Sequence, residues 1–288
     1  MHRVDLAVIG GTGLYDMDVV EVIDRIRPRT PYGPPSDEIT VGRLHGLMVA
    51  FLPRHGRGHR LLPSEIPYRA NVFALKQLGA TRVVSLSAVG SLSDRLKPMD
   101  IAVPDQIVDK TWGRPSTFFG DGVVAHVEFS APVCATLRAV ASAAVRQVTG
   151  TVHDGGTYVC MEGPAFSSKA ESLLHRSWGM DVIGMTAMPE AKLVREAEMC
   201  YCLISLVTDY DAWHETEEPV SADMILTYLR KNAENAKAII SAMADSLPAG
   251  RSCSCGTTLS RALVTDLTRA PFSTVERLRP LLAPYLKA

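Results

Sequence analysis

The stretch Leu203-Ile204-Ser205-Leu206-Val207-Thr208-Asp209-Tyr210-Asp211-Ala212-Trp213 is an apolar run that stops at two carboxylates. A strand buried on both faces reads as such a run, and it belongs to parallel sheets covered by helices. In open α/β sheets ligands bind just past the carboxyl ends of strands, so Asp209 and Asp211 are expected to face a ligand. Residues two apart in an extended segment point the same way, which would bring both carboxylates to one small group. A solvated turn capped by Asp is the plainer alternative for this stretch taken alone.

Working outward, other predicted strands end in small or polar residues. Residues 4–9 read as a buried strand that enters the tight turn Gly10-Gly11-Thr12-Gly13, where the backbone can approach an anion and Thr12 adds a hydroxyl. A dinucleotide fingerprint is the rival reading, but its third glycine would fall at Asp16, and residues 25–35 are rich in Pro and Arg where a crossover helix is required. Residues 39–41 and 47–52 are expected to pair as a hairpin through His45 and Gly46. They lead into Pro53-Arg54-His55-Gly56-Arg57-Gly58-His59-Arg60, a basic glycine-rich loop suited to wrapping an oxyanion or to solvated surface. A helix is predicted over 68–78, closed by Gly79, and a strand over 83–86 runs into Ser87-Ala88-Val89-Gly90-Ser91.

Farther along, residues 99–108 suggest a strand pair around Pro104. Residues 112–124 form a long loop with apolar weight, expected to lid a site or cover a partner subunit. A helix is predicted over 132–148 and a short strand over 158–161. Ser168 and Glu171 form a capping box at the start of another helix. A strand over 181–186 ends at Thr186, and a helix follows from Met188-Pro189-Glu190 to Met199. Residues 220–247 hold a long helix, and 265–287 a helical segment split at its prolines. The fold class expected is α/β, one domain over 1–288 with a central mixed, largely parallel sheet flanked by helices, residues 248–288 being a less diagnostic helical extension.

Composition narrows the function. With 288 residues and 47% apolar content the chain can bury a large core, and a net charge of −1 gives no footprint for nucleic acid or an anionic membrane. A small-molecule ligand is the default. The first residues lack a signal-like segment and no window is long enough to span a bilayer, so a cytoplasmic protein is expected. Six cysteines are too sparse for a secreted disulfide framework. Cys200 and Cys202 read as core residues. Cys253 and Cys255 follow a polar turn and are expected to be accessible, as neutral thiols or as a redox-reactive pair. No second Cys or His pair at ligand spacing accompanies them, so no metal site is expected.

Taken together, the strand ends divide into hydroxyls and cations on one side and carboxylates on the other. The first set suits inorganic phosphate and the second a purine that must be protonated as it leaves, which is the chemistry of phosphorolysis of an N-glycosidic bond. The strings Ile9-Gly10-Gly11-Thr12-Gly13-Leu14, Arg54-His55-Gly56-Arg57-Gly58-His59, Met161-Glu162-Gly163-Pro164-Ala165-Phe166-Ser167-Ser168, Met185-Thr186-Ala187-Met188-Pro189-Glu190 and Thr208-Asp209-Tyr210-Asp211-Ala212-Trp213 resemble the trimeric purine nucleoside phosphorylase family, and within it the S-methyl-5′-thioadenosine phosphorylase branch. The resemblance covers residues 4 to about 245 in order.

What the resemblance implies is a pentosyltransferase that needs no cofactor, with inorganic phosphate as co-substrate, a nucleoside as its other partner, and a homotrimeric assembly. It implies phosphate binding by Thr12, Arg54, His55, Ser87, Ala88 and Thr186. Phe166 would pack on the purine, Met185 would lie under the ribose, and Tyr210 with the two Asp would complete the purine subsite. Asp211, with Asp209, would serve as the acid. His59 would sit near the sugar's 5′ end, and His126 would complete the 5′ pocket of a neighbouring subunit. Ser167 and Ala222 match positions linked to the choice of base and 5′ substituent. Asp209 favours an amino purine, because the 6-oxopurine enzymes of the family carry Asn near that place. Gly184, Ser87 and Val89 depart from commoner residues in relatives, and Cys253/Cys255 resembles the C-terminal Cys-x-Cys of some thermostable ones. A 6-oxopurine or methylthioinosine phosphorylase, a hydrolytic nucleosidase and a nucleotide-binding module are the alternative readings.

Overall fold

Strand β11, Cys200–Asp209, is buried along its whole length, and its side chains alternate between two cores. Tyr201, Leu203 and Val207 face one apolar cluster, while Cys202, Ile204 and Leu206 face another. That alternation places β11 inside a sheet covered on both faces, as its unbroken apolar run implied. The computed structural model describes residues 3–11, 20–215 and 222–286. The expected turn residue Thr12 lies outside them, and the side chain of Ala222 is likewise not described.

The other strands are β1 Leu6–Gly10, β2 Glu21–Ile26, β3 Ile39–Leu44, β4 Leu47–Pro53, β5 Arg82–Ser91, β6 Ile101–Val103, β7 Gln106–Lys110, β8 His153–Asp154, β9 Thr157–Met161 and β10 Val182–Gly184. They run in the order β2, β3, β4, β1, β5, β10, β9, β7, and β5 also carries β11, which continues through β6 to β8. The sheet is mixed: β1, β4, β5 and β11 are mutually parallel where they pair, whereas β3 pairs with both its neighbours antiparallel and β10 meets β5 antiparallel. Helices α1 Tyr68–Gln77 and α4 Ala187–Glu196 pack together on one face with the short C-terminal helices α6 Phe272–Arg277 and α7 Arg279–Leu282. Helices α2 Ala135–Thr149 and α5 Ala222–Ser246 cover the other. Helix α3, Lys169–Ser177, opens on the expected capping box between Ser168 and Glu171.

Three expectations are corrected. The strand predicted over 83–86 continues to Ser91, because Gly90 and Ser91 pair with β10 and Gly90 also pairs with Asp209 of β11. Ser87 is therefore inside a strand and not at its end. The loop over 112–124 does not lid the cleft of its own chain: Phe118 and Phe119 are buried in the core that holds α1, and none of its residues lines the cleft described below. Cys255 is buried instead of accessible, with only Cys253 partly exposed.

Arg114 fixes that loop. Its buried guanidinium donates to Glu162 Oε1 at 3.1 Å, to the carbonyls of Glu162, Met185 and Met188, and to the Tyr68 hydroxyl. Removing one partner of a buried ion pair leaves the other uncompensated. Arg114→Met is accordingly expected to lower unfolding free energy by about 3–5 kcal/mol, read as an earlier urea midpoint. A midpoint within error of the parent would show that the guanidinium carries no such role.

Candidate active site

Where β1, β4, β5, β10 and β11 end, they enclose a cleft of about 400 Å³. Arg54, His55, Ser87, Ala88 and Thr186 line it, as do Met185, Phe166, His59, Asp209 and Asp211. Tyr210, Ser167 and His126 do not. Tyr210 stacks on His214, the Ser167 hydroxyl lies 3.8 Å from Met161 Sδ, and His126 is exposed on a segment tied by its backbone N–H to Ala262.

Arg54 reaches the cleft from the end of β4 and is 1% exposed. Its Nε donates to Glu190 Oε2 at 3.0 Å, Nη1 to the Leu86 carbonyl, and Nη2 to the Ile9 carbonyl and the Ser85 hydroxyl. A guanidinium has five N–H groups, so among the described residues this network leaves one on Nη1 uncommitted, and Arg54 lines the cleft. Burial opposes the charge, but Glu190 more than compensates and raises the Arg54 pKa above its ordinary value. The basic loop divides between the two readings offered for it. Arg60 pairs with Asp37, and the Arg57 backbone N–H donates to the same carboxylate, so only Arg54 of the three arginines lines the cleft.

His55 donates its Nδ1 hydrogen to the Leu61 carbonyl at 2.9 Å, since a carbonyl can only accept. Burial pushes its pKa down to about 4, against a smaller upward pull from that carbonyl. The ring is therefore neutral at pH 7 and its Nε2 is an acceptor. His59 stacks on it at 4.2 Å between ring centroids. Ser87 and Thr186 bring their hydroxyls to 3.4 Å across the floor.

The carboxylate end is built by a turn, not by strand alternation. The β11–β5 register shifts between Val207 and Asp209, and Asp211 has φ +51°, in the left-handed region. Its backbone N–H donates to Asp209 Oδ1 at 2.8 Å, while the Thr208 hydroxyl donates to Asp209 Oδ2 at 2.7 Å. Burial drives the Asp209 pKa up to about 6 despite both donors, and the neighbouring Asp211 adds a smaller push. Asp211 Oδ2 is buried without a hydrogen-bond partner among the described residues. Gly90 makes room for this pair, because a Cβ there would lie 2.9 Å from Asp209 Oδ1.

Several residues of the site had no role in the sequence reading. Glu190 lies within a quoted motif, yet only the fold shows it paired to Arg54. Tyr158 is fully buried behind the floor, and a Cβ at Gly184 would fall 2.0 Å from its hydroxyl, so the small residue at 184 is matched by the ring that fills its space.

Comparison with known proteins gives the family of the chain. Residues 5–245 match the model of the phosphorylase superfamily. The chain is 51% identical over 282 residues to an S-methyl-5′-thioadenosine phosphorylase of Geobacter sulfurreducens, covering 98% of this chain and 99% of the relative. A methylthioadenosine phosphorylase from an antarctic soil metagenomic library superposes with a TM-score of 0.91 at 47% identity, covering 98% and 100%. The methylthioadenosine phosphorylase of Schistosoma mansoni, solved with adenine, superposes at 0.82 with 34% identity and 98% coverage of both chains. The chain belongs to the phosphorylase superfamily, and within it to the S-methyl-5′-thioadenosine phosphorylase family.

Proposed function

We propose that the chain catalyses phosphorolysis of S-methyl-5′-thioadenosine to adenine and 5-methylthioribose 1-phosphate, a pentosyl transfer serving purine and methionine salvage. The observation that supports this is the spacing along β5 of the hydroxyl floor at Ser87 and the carboxylates beside Gly90. Ser87 faces the anion floor and Gly90 abuts Asp209, three residues and therefore about 10 Å apart. That span accommodates a sugar between an attacking phosphate and a departing base.

In the reaction an oxygen of phosphate attacks C1′, the C1′–N9 bond breaks, and its electron pair passes into the purine. Arg54 holds the anion with its remaining N–H, and the Ser87 and Thr186 hydroxyls donate to it. Thr12 and the Ala88 backbone belong to the same subsite by motif. Neutral His55 accepts the hydrogen of monohydrogen phosphate at Nε2, which orients the attacking oxygen. Protonation of the purine at N7 makes the leaving group neutral. The acid role, expected at Asp211 together with Asp209, is assigned to Asp209, whose raised pKa lets it carry a proton near neutrality. Asp211 Oδ2, buried without a partner, is the acceptor for the exocyclic amine. Met185 underlies the ribose, Phe166 covers the purine, and His59 borders the 5′ end.

The enzyme is proposed to act in the cytoplasm as a homotrimer without an organic cofactor or a catalytic metal. His126, exposed and away from its own cleft, is then placed to serve a neighbour's 5′ pocket. Among the described residues no helix is long and apolar enough to cross a membrane.

Three outcomes test the reading. With methylthioadenosine, adenosine and inosine side by side, adenine release from methylthioadenosine should require phosphate. Release of hypoxanthine alone, or turnover without phosphate, would overturn it. Asp209→Asn should cost ~10²-fold or more in turnover, because the donor is lost. The same change should alter stability in a pH-dependent way. A raised carboxyl pKa means the folded state holds the proton more tightly, so stability is fullest below the unfolded pKa of 3.8 and declines as pH rises to about 6. Asp209→Asn escapes that decline and should gain up to about 3 kcal/mol on the parent between pH 4 and 7. A constant difference across this range would remove the raised pKa from the account.

A further inference from the structure

At the opposite end of β11 from the carboxylates, about 30 Å away by strand length, four cysteines meet. Cys134 caps α2, Cys200 opens β11, and Cys253 and Cys255 come from the segment that enters the 3-10 turn Ser254–Arg261. Their four Sγ atoms all lie within 4.8 Å of one another, and Cys200 Sγ is 3.3 Å from Cys253 Sγ. Cys134, Cys200 and Cys255 are each no more than 4% exposed, and Cys253 is half-buried. Nothing in the phosphorolysis mechanism uses them.

We propose that these residues form a structural zinc site, with Cys134, Cys200, Cys253 and Cys255 as its four thiolate ligands. A tetrahedral zinc with Zn–S bonds near 2.3 Å sets its sulfurs about 3.8 Å apart, which falls within the observed separations. The geometry favours an ion over two disulfides because each sulfur is close to all three others, whereas a disulfide needs only its own partner at about 2.05 Å. Closed four-thiolate sites are structural, which agrees with the distance from the cleft.

The surroundings suit the negative charge of four thiolates. Arg195 Nη1 lies 3.9 Å from Cys255 Sγ, and the Cys134 backbone N–H donates to the Tyr201 carbonyl, which sets α2 against β11 beside the sulfurs. Arg82 donates to the Pro248 and Gly250 carbonyls and holds the approach to Cys253. Partners of this kind orient ligands around a metal. The ion would staple the C-terminal segment to the start of β11 and to α2, three elements distant in sequence. This inference is independent of the reaction proposed above.

The test uses the full-length protein expressed in zinc-supplemented medium and purified without chelators. Elemental analysis should find about one zinc per chain, and a mercurial thiol reagent should release it stoichiometrically to a chromophoric chelator. Cobalt(II) in its place should give the charge-transfer and d–d bands of a tetrahedral thiolate complex. Cys134→Ser and Cys255→Ser should lose the metal, while Cys202→Ala, whose thiol lies outside the cluster, should keep it. Should the Ser variants fail to fold, the release and cobalt measurements on the unaltered chain still decide. The proposal is overturned by an intact mass four daltons below the reduced chain with thiols blocked to alkylation, which would mean two disulfides. Six alkylatable thiols with no bound metal would overturn it equally, as would equal metal content in the parent and Cys255→Ser.

Discussion

The buried ion pair between Arg54 and Glu190 sets the geometry on which the site depends. The guanidinium binds the backbone of β1 through Ile9 and of β5 through Leu86, while Glu190 on α4 also accepts from the Tyr201 hydroxyl of β11. Three strands and a helix are thereby registered to one cation. Such a pair is not a source of net stability, since desolvating both charges offsets most of their attraction. Its consequence is positional. Among the described residues four of its five N–H groups are engaged, so the guanidinium cannot swing, and on the proposed reading its remaining donor meets phosphate without reorganisation.

Strand β5 converts that anchor into a ruler. Its early residues pair in parallel with β1, the strand as far as Gly90 pairs in parallel with β11, and its last two residues also pair with β10 antiparallel. Met185 and Thr186 follow β10 directly, so the fork delivers them to the same floor as Ser87. The close approach of Asp209 to Gly90 and of Tyr158 to Gly184 shows how little free space this crossing leaves. Interiors packed to this density transmit any added volume to their neighbours.

Much of this was legible in the sequence wherever one segment contains its own signal. The apolar run of β11, the β3–β4 hairpin with positive φ at His45 and Gly46, and the capping box of α3 are all local. What sequence reading missed depends on residues far apart. Nothing around Arg114 announces that its partners stand at 68, 162, 185 and 188. Ser87 looked like a strand end because Ser, Ala and Gly lower strand propensity, yet tertiary pairing to β10 and β11 overrides that preference. The cysteine cluster was invisible for the same reason: only two of its four members are near one another in sequence.

Asp209 and Asp211 show why the carboxylate end required a turn. Had both projected from an extended strand, as alternation suggested, they would share one environment, and two like carboxylates then compete for a single proton without a fixed owner. The register shift after Val207 and the left-handed backbone at Asp211 separate them. One carboxylate is wrapped by the Thr208 hydroxyl and the Asp211 amide and is pushed toward neutrality by burial. The other keeps an oxygen unpaired among the described residues. An amino purine presents an acceptor ring nitrogen beside a donor amine, so it needs a donor and an acceptor side by side. On the proposed reading two chemically identical side chains supply both because the backbone gives them different surroundings, and the left-handed residue at 211 is where the fold separates them.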